Sequence, residues 1–189
     1  IYLDGVLVGG YTGGNLLHVS GSIYTNGMVS GYVDSNGDLV SGGEVRLYRI
    51  RKGWETLTFD QVRLDAAEIY ETSVSGVTDA QIQAVLDQYE EDWNNWPTHL
   101  GAPFYDLDND GVYEPADGET PGVANADQVI WYVVSDADVG TTSSLYGCTP
   151  IGIEIQYTLW GYNQPGAALG QIVFKNIRVL NKGSEDLTD

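Results

Sequence analysis

The sequence predicts a mainly β protein, an antiparallel β-sandwich of jelly-roll or Ig-like type, with a short helical insertion and a calcium loop. Three observations lead there. The 189 residues include 24 glycines and 13 tyrosines against three phenylalanines and one methionine, a balance suited to many short strands joined by tight turns. Apolar runs of strand length fill residues 1–52 and return from residue 127 onward. Between them, about 55–97, the apolar residues switch to helical spacing. Hydrophobic residues make up 42% of the chain, enough to bury a core without disulfides. The length fits one β-rich domain, residues 1–189, read here as a segment of a longer chain.

The first strands are expected at 1–8, 16–24, 28–33 and 38–50, separated by glycine-rich turns. Asp34-Ser35-Asn36-Gly37-Asp38 is the clearest hairpin signal, because Asn-Gly suits the positive φ angles of a type I′ turn. Its spaced Asp34, Asn36 and Asp38 also have the chemistry to hold a cation, although turn chemistry alone explains them. In the helical stretch, Phe59, Val62, Ala66, Ile69 and Tyr70 fit one face, with Asp60 as the expected cap. A second helix is capped by Thr78, with Gln81 completing a capping box. Ile82, Val85, Leu86, Tyr89 and Trp93 recur along it, and Pro97 prevents its continuation. Tyr89 and Trp93 are read as packing residues.

Strands resume at 129–134, a continuous apolar run. Over 151–160 the pattern alternates. Ile151, Ile153, Ile155, Tyr157 and Leu159 share one face; Glu154, Gln156, Thr158 and Trp160 share the other. The run 171–180 is apolar on both faces, which predicts a central position in a sheet.

Charge narrows the function. The chain has 27 acidic against eight basic residues, a net charge of −19. Such a surface lacks the basic footprint of a nucleic-acid or anionic-membrane partner. Four of the eight cations lie within 46–52, so the remainder is more acidic still and invites cations. Cys148, the single cysteine, has no internal disulfide partner. No apolar stretch approaches the roughly 18 residues of a membrane-spanning helix. The chain opens on Ile1-Tyr2-Leu3 and closes on Leu187-Thr188-Asp189, which reads as a processed or partial segment.

The chemistry concentrates in residues 106–117, Asp-Leu-Asp-Asn-Asp-Gly-Val-Tyr-Glu-Pro-Ala-Asp. Asp106, Asp108 and Asp110 occupy the first, third and fifth positions of a calcium loop, and Gly111 the sixth, where the chain turns sharply. Val112 would offer its backbone carbonyl, Glu114 a ninth-position contact through water, and Asp117 the closing ligand. Calcium takes six to eight oxygens, and five carboxylates so close together repel one another without a cation. Pro115, which disfavours helix, and the non-helical Ala102-Pro103-Phe104-Tyr105 depart from a helix–loop–helix hand. Asp117 is shorter than the usual bidentate Glu. The loop therefore resembles the free-standing, weaker sites of extracellular modules, with Kd on the order of 10⁻⁴–10⁻³ M.

Other chemistries lack their signatures. His18 and His99 have no partner at zinc-ligand spacing. There is no Gly-x-Ser-x-Gly elbow and no glycine loop followed by Lys. Abundant acids do not by themselves mark a glycosidase pair. Five tryptophans would suit sugar stacking, with Trp160 the best placed, although large aromatics more often pack in cores.

Certain runs resemble a known group. They are Trp93-Asn94-Asn95-Trp96-Pro97, Gly101-Ala102-Pro103-Phe104-Tyr105-Asp106, Asp110-Gly111-Val112-Tyr113-Glu114-Pro115 and Asp127-Gln128-Val129-Ile130-Trp131. Pro150-Ile151-Gly152-Ile153-Glu154 and residues 173–183, from Val173-Phe174-Lys175-Asn176 to Asn181-Lys182-Gly183, follow in the same order. This resembles a stretch of large secreted surface proteins of Bacteroidota and Ignavibacteria, often sorted by type IX secretion. The resemblance covers about 93–189, is weaker over 1–52, and does not extend to 55–92. It implies an extracellular or cell-surface location and a chain continuing beyond this segment, but no reaction.

Taken together, the sequence points to a non-catalytic extracellular structural or adhesive protein, stabilised by Ca2+, that self-associates in a fibre or layer or joins another surface protein. A carbohydrate- or surface-binding β-sandwich module, with polysaccharide as partner, is the alternative, and a glycoside hydrolase stands behind that. The expectation is of no enzyme activity.

Overall fold

A computed structural model describes residues 4–22 and 26–188. The expected strand positions 1–3, 23 and 24 lie outside the described residues. Strands come in the order β1 (Val6–Tyr11), β2 (Leu17–Ser22), β3 (Val29–Ser30), β4 (Tyr32–Val33), β5 (Leu39–Val40) and β6 (Tyr48–Arg51). Helices α1 (Phe59–Ile69) and α2 (Asp79–Asn94) follow. Then come β7 (Phe104–Tyr105), β8 (Thr120–Pro121), β9 (Gln128–Ser135), helix α3 (Val139–Tyr146), β10 (Ile153–Gly161) and β11 (Val173–Asn181).

The protein is β-rich with antiparallel pairing. One five-stranded sheet runs β11-β10-β9-β3, with β6 also on β9. Three two-stranded ribbons, β1-β2, β4-β5 and β7-β8, complete the described strands. The chain divides into two compact units, Ile1–Leu47 with Tyr132–Tyr157 and Asn176–Asp189, and Tyr48–Trp131 with Thr158–Lys175. The helical segment expected at about 55–97 lies wholly in the second.

In the first unit, β1 and β2 pair from Val6↔Ser22 to Tyr11↔Leu17, and Val29↔Ser135 begins the β3–β9 pairing. The β4–β5 hairpin turns where expected, but not as type I′. Gly37 donates its N–H to the Asp34 carbonyl and alone has positive φ there, 88°. This is a three-residue loop closed by a left-handed glycine. The Asp34 carboxylate accepts the N–H groups of Asn36 and Asp38 at 2.8 and 2.9 Å, so its hydrogen bonds are those of a turn. Asp136 is fully buried and accepts three consecutive N–H groups, from Ile151, Gly152 and Ile153, at 2.7–3.0 Å. That carboxylate fixes the start of β10. Cys148 is a free thiol exchanging hydrogen bonds with the Val19 backbone, and His18 Nδ1 meets the Thr149 carbonyl at 2.9 Å.

One sheet expectation needs correction. The 171–180 run is not central: β11 is an edge strand on which Val173 is 71% exposed. On β10 both faces are covered: Glu154, Gln156 and Thr158 are buried along with Ile153, Ile155 and Tyr157. Glu154 accepts the Val33 N–H at 3.2 Å and the Gln156 amide at 2.8 Å. Buried hydrogen bonds offset the desolvation of these polar groups.

In the second unit, β6 pairs with β9 from Tyr48↔Trp131 to Arg51↔Gln128. Val62, Ala66 and Ala67 of α1 pack with Val77, Ile82, Val85 and Tyr89 in one cluster. Helix α1 is capped by Thr58, not Asp60: the Thr58 N–H donates to Gln61 Oε1 at 2.8 Å. Its buried stripe turns toward Ala67, leaving Phe59, Ile69 and Tyr70 exposed. Helix α2 keeps its expected cap, with Gln81 N–H on the Thr78 hydroxyl and Thr78 N–H on Gln81 Oε1. Trp96 and Trp131 are core residues.

Candidate metal centre

The acidic segment is the loop of the β7–β8 ribbon. Phe104↔Pro121 and Tyr105↔Thr120 pair its two ends, and Gly122 N–H closes on the Pro103 carbonyl. Trp96 Nε1 donates to that same carbonyl at 2.7 Å. Midway round, the Tyr113 hydroxyl donates to the Trp93 carbonyl at the end of α2 at 2.7 Å, and its ring meets Phe104 edge-on. Burial, then the Glu119 charge, raises the Tyr113 phenol's pKa well above its usual value. The loop is thus anchored at both ends and in the middle.

Within it, the first aspartate organises the turn. Asp106 Oδ1 accepts the Asn109 N–H at 2.7 Å and Oδ2 the Gly111 N–H at 2.9 Å. Asn109 and Gly111 both have positive φ, 65° and 81°, which suits Asn and glycine. Asp108 accepts the Asp110 N–H, and Asp110 accepts the Val112 N–H.

Two groups of carboxylates in this loop could hold a metal ion, Asp106–Asp108–Glu119 and Asp108–Asp110–Glu114, each with its oxygens within 4.8 Å of one another. Asp108 belongs to both. Four of the residues expected as ligands therefore converge: Asp106, Asp108, Asp110 and Glu114. Asp117 joins neither group; it sits in a single 3-10 turn, Pro115–Asp117, yet its charge still reaches Glu114. Val112 is exposed, with its N–H used as above.

Sequence reasoning missed Glu119, two positions past the motif. It is only 3% exposed. Its Oε1 accepts the Leu107 N–H at 2.9 Å and its Oε2 the Glu114 N–H at 2.8 Å, tying the loop's two halves together. The signal available was an acid directly after Gly118, whose φ of 95° redirects the chain into β8.

The electrostatics fit a cation. The Asp110 charge, then that of Asp117, pushes the Glu114 carboxyl above the usual range, with Asp108 and Glu119 adding to the effect. A cation among these oxygens would offset that repulsion.

Trp160 stacks on Phe174 of the neighbouring strand, ring centres 5.5 Å apart, so one face of the expected sugar platform is already covered. Compared with family models, with curated proteins and with solved structures, the chain matches none. No helix among the described residues is long and apolar enough to cross a membrane.

Proposed function

We propose that the chain is a non-catalytic structural or adhesive protein of the bacterial cell surface, a subunit of a fibre or layer, with loop 106–119 held by calcium. The observation that carries this reading is the grouping of Asp106–Asp108–Glu119 and of Asp108–Asp110–Glu114 in one clamped loop, with Asp108 common to both. An all-oxygen set without His or Cys is the chemistry of a hard cation, and calcium tolerates the irregular geometry of such a loop better than magnesium. The ion would supply charge neutralisation and rigidity, not a reaction. Asp106, Asp108, Asp110 and Glu114 would hold it, with Glu119 bracing from beneath.

In this reading the five-stranded sheet is one layer of a jelly-roll or Ig-like sandwich. Support comes from Ile153–Thr158, six consecutive buried residues, which require cover on both sheet faces. Support for assembly comes from β11, a nine-residue edge strand with Val173 and Val179 exposed. Such an edge presents unpaired backbone groups to another chain, beside exposed Lys175 and Arg178, which oppose the pairing of like edges. Export by the route of the secreted proteins that the sequence resembles belongs to the same proposal.

Light scattering and electron microscopy of native material, with calcium and with chelator, test the assembly. Repeating bodies that loosen in chelator are expected, because a −19 subunit repels its copies. Monomers under both conditions would overturn the fibre or layer reading.

A further inference from the structure

The second unit contains a cleft that the calcium-stabilised reading does not use, and no residue of loop 106–119 lines it. We propose that this cleft binds a neutral saccharide. It lies between the end of β6, helix α1, the start of β9 and the loop joining β10 to β11, and encloses about 430 Å³. Ligand pockets span roughly 300–1,000 Å³.

The cleft's charges select the ligand class. Arg51 is paired with Asp65 at 2.5 Å, and the lining also carries one further cation and one further carboxylate, Lys52 and Asp127. The lining is therefore balanced, in a chain whose net charge of −19 repels anions at long range. A metal would meet two cationic side chains. A phosphate or uronate would meet two carboxylates. A neutral polyhydroxylated molecule meets neither obstacle.

Some hydrogen-bonding groups of the lining are fixed by partners and others are open. Asp65 Oδ2 accepts from Arg51 and from the Tyr89 hydroxyl, and Arg51 is fixed further by the Gln61 carbonyl at 3.0 Å. Asp127 Oδ2 accepts the Asn163 N–H at 2.7 Å. By contrast, the side-chain amides of Gln128 and Asn163 and the hydroxyl of Tyr162 have no hydrogen-bond partner among the described residues, although all three line the cleft. Amides that donate and accept, beside fixed carboxylates, match adjacent sugar hydroxyls, which also donate and accept. Tyr162, half-buried and nearly perpendicular to Phe174 at 5.9 Å, adds an aromatic wall for the C–H face of a pyranose. Gly170, which also lines the cleft, packs so closely that a Cβ there would overlap the Gln164 carbonyl.

The site differs from a platform on Trp160, whose face is shared with Phe174. It gives the adhesive side of the proposed function a target without depending on calcium.

Titration calorimetry of the full chain against neutral hexasaccharides of glucose, xylose, mannose and N-acetylglucosamine tests the inference, with hexauronates as the charged comparison. At least one neutral hexasaccharide is expected to bind, equally in calcium and in chelator. Gln128→Ala and Tyr162→Ala should each weaken that binding about tenfold, while melting temperatures show that both variants fold. Absence of binding by every neutral probe, binding by hexauronates alone, or binding untouched in both variants would overturn the proposal. Melts of the same samples with and without calcium report on the loop separately.

Discussion

Glu119→Ala tests whether the loop is braced from beneath. Glu119 is 3% exposed and accepts two backbone N–H groups, from Leu107 at 2.9 Å and Glu114 at 2.8 Å. A hydrogen bond to a charged group contributes about 1.5–3 kcal/mol net. Leu107 and Glu114 are themselves exposed, so water recovers part of what truncation removes. Loss of a negative charge also eases the repulsion on Glu114. The expected cost in chelator is therefore about 2–3 kcal/mol for the pair, near the lower bound of the simple sum. For a chain of this length that is a drop of about 4–12 °C in melting temperature. Glu119→Gln, which keeps one acceptor oxygen, should lose about half as much. The assay is urea unfolding in chelator followed by tryptophan fluorescence, since Trp93 and Trp96 adjoin the loop's anchors. An unchanged midpoint for Glu119→Ala would refute the bracing role.

Other outcomes follow from the same structure. Asp136→Ala strands three N–H groups on a fully buried carboxylate's site and should cost at least about 4 kcal/mol, read by denaturation of the full chain. Asp138 is held below its usual pKa, mainly by Thr141. Its stabilisation is present above the unfolded value and lost as pH falls through the folded one, so Asp138→Asn should flatten the acid limb of a melting-temperature profile. Tyr132, stacked on Tyr157 at 4.8 Å, is pushed up to about 12 by burial, then by Tyr157. Stability should fall as pH rises from about 10 toward 12, with a delayed phenolate absorbance whose amplitude Tyr132→Phe lowers by one tyrosine's share.

How much of this was legible in the sequence depended on the range of the interactions. Thr78 and Gln81 lie three apart and cap α2 through local bonds, so a local pattern suffices. The Asp106–Gly111 turn is likewise local, with both Asp106 oxygens meeting N–H groups within five residues. Sheet position is not local. The 171–180 run reads as central because it is apolar, yet it lies at an edge; alternation puts Glu154 on the strand's polar face, and the partner that satisfies it in the interior, Val33, is 121 residues away. Glu119 escaped because its role depends on β7 and β8 pairing, which brings position 119 beneath position 107. Asp117 satisfies the motif's spacing and its charge reaches Glu114, but it sits in the Pro115–Asp117 3-10 turn and joins neither carboxylate group.

Calcium titration of the wild type and of Asp108→Ala tests the central claim most directly, because Asp108 belongs to both carboxylate groups. Calorimetry should give a Kd on the order of 10⁻⁴–10⁻³ M for the wild type and little heat for the variant. At free calcium about tenfold above Kd the stabilisation is about 1.4 kcal/mol, or roughly 3–6 °C in melting temperature, and Asp108→Ala should lose most of it. No binding heat, together with identical melts in calcium and in chelator, would contradict the account.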